Sequence, residues 1–148
     1  MSTLSIILPT HNEVKSLGHV IESWNNYLVK KSIKHEFVVC EDGSTDDTLK
    51  IIEEFKKNYP IKLISSKNKK GYSIAVLDGI KSATADYLLI MDSDGQSNPE
   101  EIINFWNCRK KANLVNGNRA NRKDYMYRRL YSKLAFFIFC KSLSKYSN

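Results

Sequence analysis

The sequence has few cysteines, and it lacks the motifs of several common enzyme classes. Its three cysteines are widely spaced, with no Cys-x-x-Cys pair, which predicts reduced thiols in a cytosolic protein. Its three histidines do not have the spacing of a zinc site. Gly-x-Gly-x-x-Gly, Gly-x-x-x-x-Gly-Lys-Ser/Thr and Gly-x-Ser-x-Gly are all absent. The sequence therefore argues against a dinucleotide-binding domain, a P-loop nucleotidase and an α/β-hydrolase.

Long apolar runs are also missing. The run at 134–140 has seven residues, whereas a helix that spans a bilayer needs about 20. Residues 4–9 are too few for the apolar core of a secretory signal, so no leader is expected. A chain of 148 residues with 42% hydrophobic and 26% charged residues is typical of a soluble globular domain.

Strand-like and helix-like segments alternate along the chain with short connections. Strands are predicted at 4–8, 37–40, 61–65, 86–91 and 114–116, and helices at 13–30, 46–58, 72–83 and 99–111. This order predicts an α/β fold with a mainly parallel sheet and helices on both faces. Ligands bind such sheets beyond the carboxyl ends of the strands, so functional residues are expected there.

The segment Asp-Ser-Asp-Gly-Gln at 92–96 follows the fourth predicted strand. In extended backbone, Asp92 and Asp94 point to the same side, and their carboxylates repel each other unless a cation lies between them. A hard divalent ion, Mg²⁺ or Mn²⁺, suits two such ligands and leaves positions for phosphate oxygens. Gln96 could add a neutral oxygen ligand or position a metal-bound water. The segment is therefore a candidate metal site.

This acidic segment has two competing interpretations. A solvated surface turn is disfavoured because the segment lies between an apolar strand and Pro99, which is a good helix start. An EF-hand beginning at Asp92 would need Gly at its sixth position and Glu at its twelfth. Ser97 and Ile103 stand at those positions, which excludes the EF-hand.

The first predicted strand leads into Pro-Thr-His-Asn-Glu at 9–13. Pro9 is expected to end the strand, and His11 and Glu13 could face a ligand. A capping turn in which Asn12 starts the next helix fits this segment equally well.

The second predicted strand ends in Glu41 and Asp42, just before Gly43. Ser44 or Thr45 is predicted to cap the next helix. Packing does not explain two acids at a strand end, and an Asp in this position commonly binds a base or a ribose hydroxyl. Asp42 is therefore a candidate nucleotide ligand.

Gly71, Ala75 and Gly79 recur every four residues, which predicts a helix face of small residues lying close to the sheet. The lysines at 69–70 precede this helix, either as a solvated basic turn or as phosphate ligands. Arg119 follows the fifth predicted strand, where a guanidinium would suit a diphosphate, although an ordinary surface arginine is an equal alternative.

Five motifs occur in order along residues 4–119: Pro9-Thr10-His11-Asn12-Glu13, Glu41-Asp42-Gly43-Ser44-x-Asp46, Asn68-x-x-Gly71-x-x-x-Ala75-x-x-x-Gly79, Asp92-x-Asp94-x-Gln96-x-x-Pro99 and Gly117-x-Arg119. Together they resemble family 2 glycosyltransferases, especially the dolichyl- or polyprenyl-phosphate sugar transferase branch. The resemblance implies the A-type, or nucleotide-diphospho-sugar transferase, fold. It also implies a nucleotide-sugar donor and a divalent metal.

The resemblance assigns roles to particular positions. The residues that would bind the nucleotide sugar are Pro9, His11, Glu13, Asp42, Asp92, Asp94, Gln96 and Arg119. Within this set, Asp92, Asp94 and Gln96 would hold the Mg²⁺ or Mn²⁺, and the two aspartates would be the catalytic residues. The implied activity is that of an inverting hexosyltransferase, with a polyprenyl phosphate lipid as the expected acceptor.

Enzymes of that branch continue with acceptor-side elements, including a motif resembling Asp-x-x-Ser/Cys-Gly-Phe-Arg. This motif is absent up to Asn148, so a fold truncated at the C-terminus is expected, with a separate C-terminal or membrane subunit as a candidate partner. The alternative function is a non-catalytic nucleotide-sugar-binding or membrane-associated remnant of such an enzyme. A nucleotidyltransferase of similar sheet order would need a Gly-rich opening, which is absent.

The positive charge is concentrated near the C-terminus. Residues 1–118 carry 15 Lys+Arg and 15 Asp+Glu, whereas residues 119–148 carry eight basic residues and one acidic residue. Apolar residues recur at 3- and 4-residue spacing along 125–143, which predicts a basic amphipathic helix. Such a helix could lie on an anionic membrane surface, or it could pack on the sheet.

Only charge would favour nucleic acid as the partner of this segment, and no nucleic-acid-binding motif is present. The sequence thus predicts a nucleotide-sugar-binding domain at 1–119 and a basic helix at 120–148. The expected location is peripheral, on the cytoplasmic face of a membrane, through residues 125–148.

Overall fold

A computed structural model describes residues 3–117 of the chain. The strands are β1 Thr3–Thr10, β2 Lys34–Asp42, β3 Ile61–Ser66 and β4 Tyr87–Ile90. The helices are α1 Leu17–Lys30, α2 Thr48–Phe55, α3 Tyr72–Ser82 and α4 Ile102–Cys108. A 3₁₀ turn at Pro99–Glu101 leads into α4, so the predicted helix start at Pro99 is confirmed.

The four strands form one sheet in the order β3-β2-β1-β4. Every neighbouring pair is parallel, and β1 and β2 are in register from Thr3 with Lys34 to Thr10 with Glu41. The two central strands are apolar over most of their length because helices cover both of their faces. The predicted α/β class with a parallel sheet is confirmed.

Apolar side chains pack against both faces of this sheet. On one face, Ile6 and Phe37 lie in a core cluster with Trp24 of α1, and Ile52 of α2 and Ile102 of α4 belong to the same cluster. Full burial of each such side chain contributes roughly 1.5–3 kcal/mol. This burial therefore stabilises the packing of α1, α2 and α4 against the sheet.

The second face of the sheet is covered by α3 at very short distance. A Cβ atom added at Gly79 would lie 2.6 Å from Cγ2 of Ile7 and 2.8 Å from Sγ of Cys40. Ala75 is buried on the same side, so the predicted close contact between small residues and the sheet is confirmed for these two positions. Gly71 differs, because no atom lies within 4 Å of an added Cβ there.

The first helix begins later than predicted. α1 starts at Leu17 and its N-cap is Ser16, so the expected start at Glu13 is wrong. The reason is that the backbone N–H groups of Asn12, Glu13 and Val14 donate to side chains in the β2–α2 loop and at the first residue of α2. These donors are therefore satisfied outside the helix.

Pro9 does not end β1, contrary to expectation, since the strand continues to Thr10. The pairing of β1 with β4 runs only from Leu4 to Ile7, and the N–H of Met91 donates to the carbonyl of Ile7. The backbone N of Pro9 points to that same side of β1, beyond Ile7, the last residue that pairs with β4. Its missing N–H therefore costs no bond of the ladder.

The predicted fifth strand at 114–116 is wrong, because these residues form no strand. Leu114 is 77% exposed. So short a segment would depend on the burial of its apolar side chains, and that burial is lacking. In residues 3–117, no helix combines the length and the apolar character needed to cross a membrane.

Candidate functional site

The carboxyl ends of β1, β2 and β4 lie side by side. The pairing of Thr10 with Glu41 brings His11 next to Asp42, and Nδ1 of His11 lies 2.9 Å from the carbonyl oxygen of Asp42. On the other side of β1, the hydroxyl of Ser93 donates to the carbonyl of Pro9 at 3.1 Å. The structure thus brings the motifs at 9–13, 41–46 and 92–96 to one edge of the sheet.

Asp42 holds the segment that leads into α3. Its Oδ1 accepts a hydrogen bond from the N–H of Lys70 at 2.7 Å, and its Oδ2 accepts one from the N–H of Gly71 at 2.8 Å. Burial opposes ionisation of this carboxyl group. The two N–H donors, and after them the charges of His11 and Lys69, outweigh burial and lower the pKa of Asp42 below its usual value. The carboxylate is therefore charged and fixed in position.

Glu41 has a structural role that the sequence did not indicate. The residue is 4% exposed, and its carboxylate accepts hydrogen bonds from the N–H of Ser44 and from the hydroxyl of Ser65 at 2.7 Å. These bonds tie the end of β2 to the following turn and to β3. The acid at the strand end is therefore explained by internal hydrogen bonding.

The turn after β1 is tied to the turn after β2. The N–H of Asn12 donates to Oγ of Ser44 at 3.0 Å, and Oδ1 of Asn12 accepts from the N–H of Thr45 at 2.8 Å. Asn12 therefore does not start the helix, and neither Ser44 nor Thr45 caps α2. At α2, Oδ1 of Asp46 accepts the N–H of Thr48 at 3.0 Å.

A cleft of about 170 Å³ opens at this edge of the sheet, and it is lined by Pro9, Thr10, His11, Asp42, Lys69, Tyr72 and Ala75. Three of the predicted nucleotide ligands, Pro9, His11 and Asp42, lie in this lining. Glu13 does not, and its carboxylate accepts the hydroxyl of Ser16 at 2.5 Å. Tyr72 was missed by the sequence analysis, where the only signal was its position directly after Gly71.

The acidic segment after β4 has the predicted alternation. Asp92 and Asp94 are exposed, whereas Ser93 between them is 3% exposed. Oδ1 of Asp94 accepts the N–H of Gln96 at 2.9 Å, and Oδ1 of Asp92 accepts the hydroxyl of Tyr72 at 3.3 Å. Burial, together with the charge and hydrogen bond of Asp92, raises the pKa of Tyr72.

These two aspartates suit a metal that keeps part of its hydration shell. Within residues 3–117, no group of three His, Cys, Asp or Glu side chains could enclose a metal ion. Mg²⁺ is typically bound by one or two carboxylates, with waters and phosphate oxygens as its remaining ligands. The donor set of Asp92 and Asp94 fits that pattern. Arg119 lies outside the described residues.

Gly43 sets the distance between the end of β2 and the segment before α3. Its φ is 65°, and an added Cβ would lie 2.8 Å from the backbone N of Lys69. We therefore expect Gly43→Ala to lower the free energy of unfolding by about 1–2 kcal/mol from the left-handed backbone alone, and by more in total because of the contact with Lys69. The displaced segment should also weaken nucleotide binding. Urea unfolding and calorimetry measure the two effects.

Gly95→Ala is the matched control for Gly43→Ala. Gly95 also has a positive φ, 81°, but the nearest atom to an added Cβ is Cγ2 of Val20 at 3.8 Å. Gly95→Ala therefore measures the cost of the left-handed backbone without the steric contact. Equal losses of stability in the two variants would contradict the role given to the contact between Gly43 and Lys69.

Comparison with known proteins identifies relatives along nearly the whole chain. The family model described as "Glycosyl transferase family 2" matches residues 5–145. The dolichol-phosphate mannosyltransferase of Pyrococcus furiosus is 32% identical over 91% of this chain and 40% of its own length. The undecaprenyl-phosphate 4-deoxy-4-formamido-L-arabinose transferase of Proteus mirabilis is 28% identical over 90% of this chain and 42% of its own length. The chain spans about two fifths of these relatives.

Solved structures share the fold. S. aureus TarS 1-349 superposes with a TM-score of 0.60 at 25% identity, over 84% of this chain and 40% of that one. TarS has also been solved with UDP-GlcNAc. The mannosyltransferase PcManGT of Pyrobaculum calidifontis, in complex with GDP-Man and Mn²⁺, superposes with a TM-score of 0.51 at 24% identity, over 63% of this chain and 28% of that one.

Proposed function

The chain belongs to glycosyl transferase family 2 and has the A-type glycosyltransferase fold, and from that membership we propose that it binds a nucleotide sugar and takes part in transferring the sugar. The observation that carries this proposal is the position of the cleft at the ends of β1 and β2, next to the exposed Asp92 and Asp94. TarS, which is similar in fold and 25% identical, binds UDP-GlcNAc, and this supports a nucleotide-sugar donor.

The residues around the cleft suggest how the donor lies. The nucleoside occupies the cleft between His11 and Tyr72, and the ammonium group of Lys69 attracts the diphosphate. Asp92 and Asp94 would hold Mg²⁺ or Mn²⁺, with Gln96 close by as a neutral ligand. The bound metal would offset the negative charge that develops on the nucleoside-diphosphate leaving group. Attack from the face opposite that group inverts the anomeric carbon.

We propose a polyprenyl phosphate as the acceptor. The names of the Pyrococcus and Proteus relatives specify dolichol phosphate and undecaprenyl phosphate. A phosphate acceptor is already anionic, so it needs no general base to remove a proton. The excess of positive charge at 119–148 would favour anionic lipid on the cytoplasmic face of a membrane. In this arrangement residues 1–119 bind the donor, and a separate membrane subunit is a candidate partner for acceptor binding.

Calorimetry against UDP-, GDP- and dTDP-sugars, with and without Mn²⁺, tests the proposed function. We expect one nucleotide to bind, and to bind more tightly with Mn²⁺. Failure of all three to bind would overturn the proposal. Binding without turnover of donor and polyprenyl phosphate would instead select a non-catalytic nucleotide-sugar-binding module, and pyrophosphate release from a nucleoside triphosphate would select a nucleotidyltransferase.

Asp42→Ala should weaken nucleotide binding about tenfold or more even without metal, because hydrogen bonds to charged groups contribute roughly 1.5–3 kcal/mol. The proposed contact is to the base or the ribose, and the same carboxylate positions Lys70 and Gly71 beside the cleft. Calorimetry in EDTA measures the effect.

Asp86→Ala is the matched control for Asp42→Ala. The Asp86 carboxylate also accepts a backbone N–H, from Thr3 at 3.0 Å. However, Asp86 lies just before β4, at the end of the sheet opposite the cleft. Nucleotide affinity should therefore be unchanged in this variant. A loss in Asp42→Ala that is seen only when Mn²⁺ is present would show that Asp42 acts on the metal site.

A further inference from the structure

We propose that Tyr72 is a positioning residue that couples the nucleotide cleft to the Asp92 carboxylate. The inference rests on the proposed function, since it takes Asp92 as a ligand of the divalent metal. Tyr72 is the first residue of α3, and it lines the cleft together with His11 and Lys69. Its hydroxyl donates to Oδ1 of Asp92 at 3.3 Å. One side chain thus contacts both halves of the site.

The position of Tyr72 is set from the nucleotide side of the cleft. Asp42, at the end of β2, accepts the N–H groups of Lys70 and Gly71, the two residues directly before α3. Gly71 has a φ of 98°, which turns the chain sharply into the helix. The start of α3, and with it the backbone of Tyr72, is therefore held by a buried and charged carboxylate.

The position of the Tyr72 ring depends on Asp92. The residue is 57% exposed, so packing in the protein core does not fix its side chain. The hydrogen bond to Asp92 holds the hydroxyl end, and the ring then forms one wall of the cleft. A series of contacts from Asp42 through Gly71 and Tyr72 to Asp92 joins the end of β2 to the end of β4.

This series of contacts has a consequence for metal binding. The phenol donates to Oδ1 of Asp92 and orients the carboxylate, which would help Asp92 to hold a metal. Hydrogen-bond partners of metal-binding carboxylates raise affinity by fixing the orientation of the ligand, and their loss typically costs about 10–100-fold in metal affinity. A nucleotide that packs on the ring favours the same orientation. Metal and nucleotide should therefore strengthen each other's binding equally, as linkage requires.

Tyr72→Phe tests the inference because it removes the hydroxyl and keeps the ring. The full-length variant is titrated with Mn²⁺ alone, and free Mn²⁺ is measured by electron paramagnetic resonance. We expect Mn²⁺ affinity to fall by about tenfold or more. Affinity for UDP and GDP in EDTA should fall less than Mn²⁺ affinity, because the ring that lines the cleft is kept. The gain in nucleotide affinity produced by Mn²⁺ should therefore shrink. A merely structural role would not separate these two affinities.

Two further variants complete the experiment. Tyr59→Phe is the matched control, since it removes a hydroxyl from a ring that stacks on Phe55 outside the cleft, and it should leave both affinities unchanged. Tyr72→Leu removes the ring as well and should weaken nucleotide binding in EDTA too. Urea unfolding of each variant separates these effects from a loss of stability.

The outcomes distinguish this inference from the proposed function. If Asp92→Asn abolishes Mn²⁺ binding but Tyr72→Phe retains wild-type Mn²⁺ affinity, the metal site stands and the role of Tyr72 is wrong. If Asp92→Asn also retains wild-type Mn²⁺ affinity, both the metal assignment and the role of Tyr72 are overturned. Equal losses of nucleotide affinity in Tyr72→Phe with and without Mn²⁺ would overturn the coupling alone.

Discussion

Asp92→Asn and Asp94→Asn should each abolish Mn²⁺-dependent nucleotide binding while leaving the fold intact. Both side chains are exposed, so neither substitution disturbs the apolar core. An amide of the same shape can still accept the N–H of Gln96 or the hydroxyl of Tyr72, which preserves the local hydrogen bonds. It cannot supply the negative charge that a hard divalent ion requires. The metal then lacks half of its carboxylate ligands.

Calorimetry with the preferred nucleotide, at rising Mn²⁺ concentration, measures this effect. Asp86→Asn is the matched control, because Asp86 is an exposed aspartate directly before β4, whereas Asp92 follows the same strand. This control should behave as wild type. Retention of full Mn²⁺-dependent affinity in both Asp92→Asn and Asp94→Asn would remove the metal site from the proposal.

The sheet was predictable from the sequence because its signals are local. β1 and β2 are apolar runs bounded by polar turns, and this alternation with helices leaves few topologies open. The carboxyl ends of parallel strands share one edge, so Pro9, His11, Asp42 and Asp92 could be placed at one edge of the sheet before their geometry was known.

Features that depend on contacts between distant segments were not predictable. The predicted start of α1 was wrong because the N–H groups of Asn12 and Glu13 donate to residues more than thirty positions away. Glu41 was left without a packing role for the same reason, since one of its partners, Ser65, lies on β3. Local sequence propensity carries no information about partners that lie so far away in the sequence.

Tyr72 shows the same limit at the functional site. Twenty positions separate it from Asp92, and neither residue's neighbours in sequence indicate a hydrogen bond between them. The bond depends on how closely α3 lies on the sheet, which is set by Gly79 against Ile7 and Cys40. A functional contact thus follows from a packing feature elsewhere on the helix.

Substitution of Arg128, Arg129 and Lys133 together by Gln should weaken binding to anionic vesicles by about two decades. Each Lys or Arg near such a surface is worth roughly 1 kcal/mol, and 1.4 kcal/mol corresponds to about tenfold in affinity. Binding should also fall as salt concentration rises. Co-sedimentation with phosphatidylserine vesicles measures both effects. The residues concerned lie outside those that the structure describes, so this expectation comes from charge and spacing alone.

A control with the same loss of charge tests whether residues 119–148, rather than the described residues, bind the vesicles. Lys15, Lys30 and Lys57 are exposed in the described part of the chain, and their joint replacement by Gln should leave vesicle binding nearly unchanged. Deletion of residues 125–148 should remove vesicle binding and leave a folded, nucleotide-binding domain. If the deletion variant is unfolded or insoluble, the apolar side chains of this segment belong to the protein core, and the membrane interpretation is wrong.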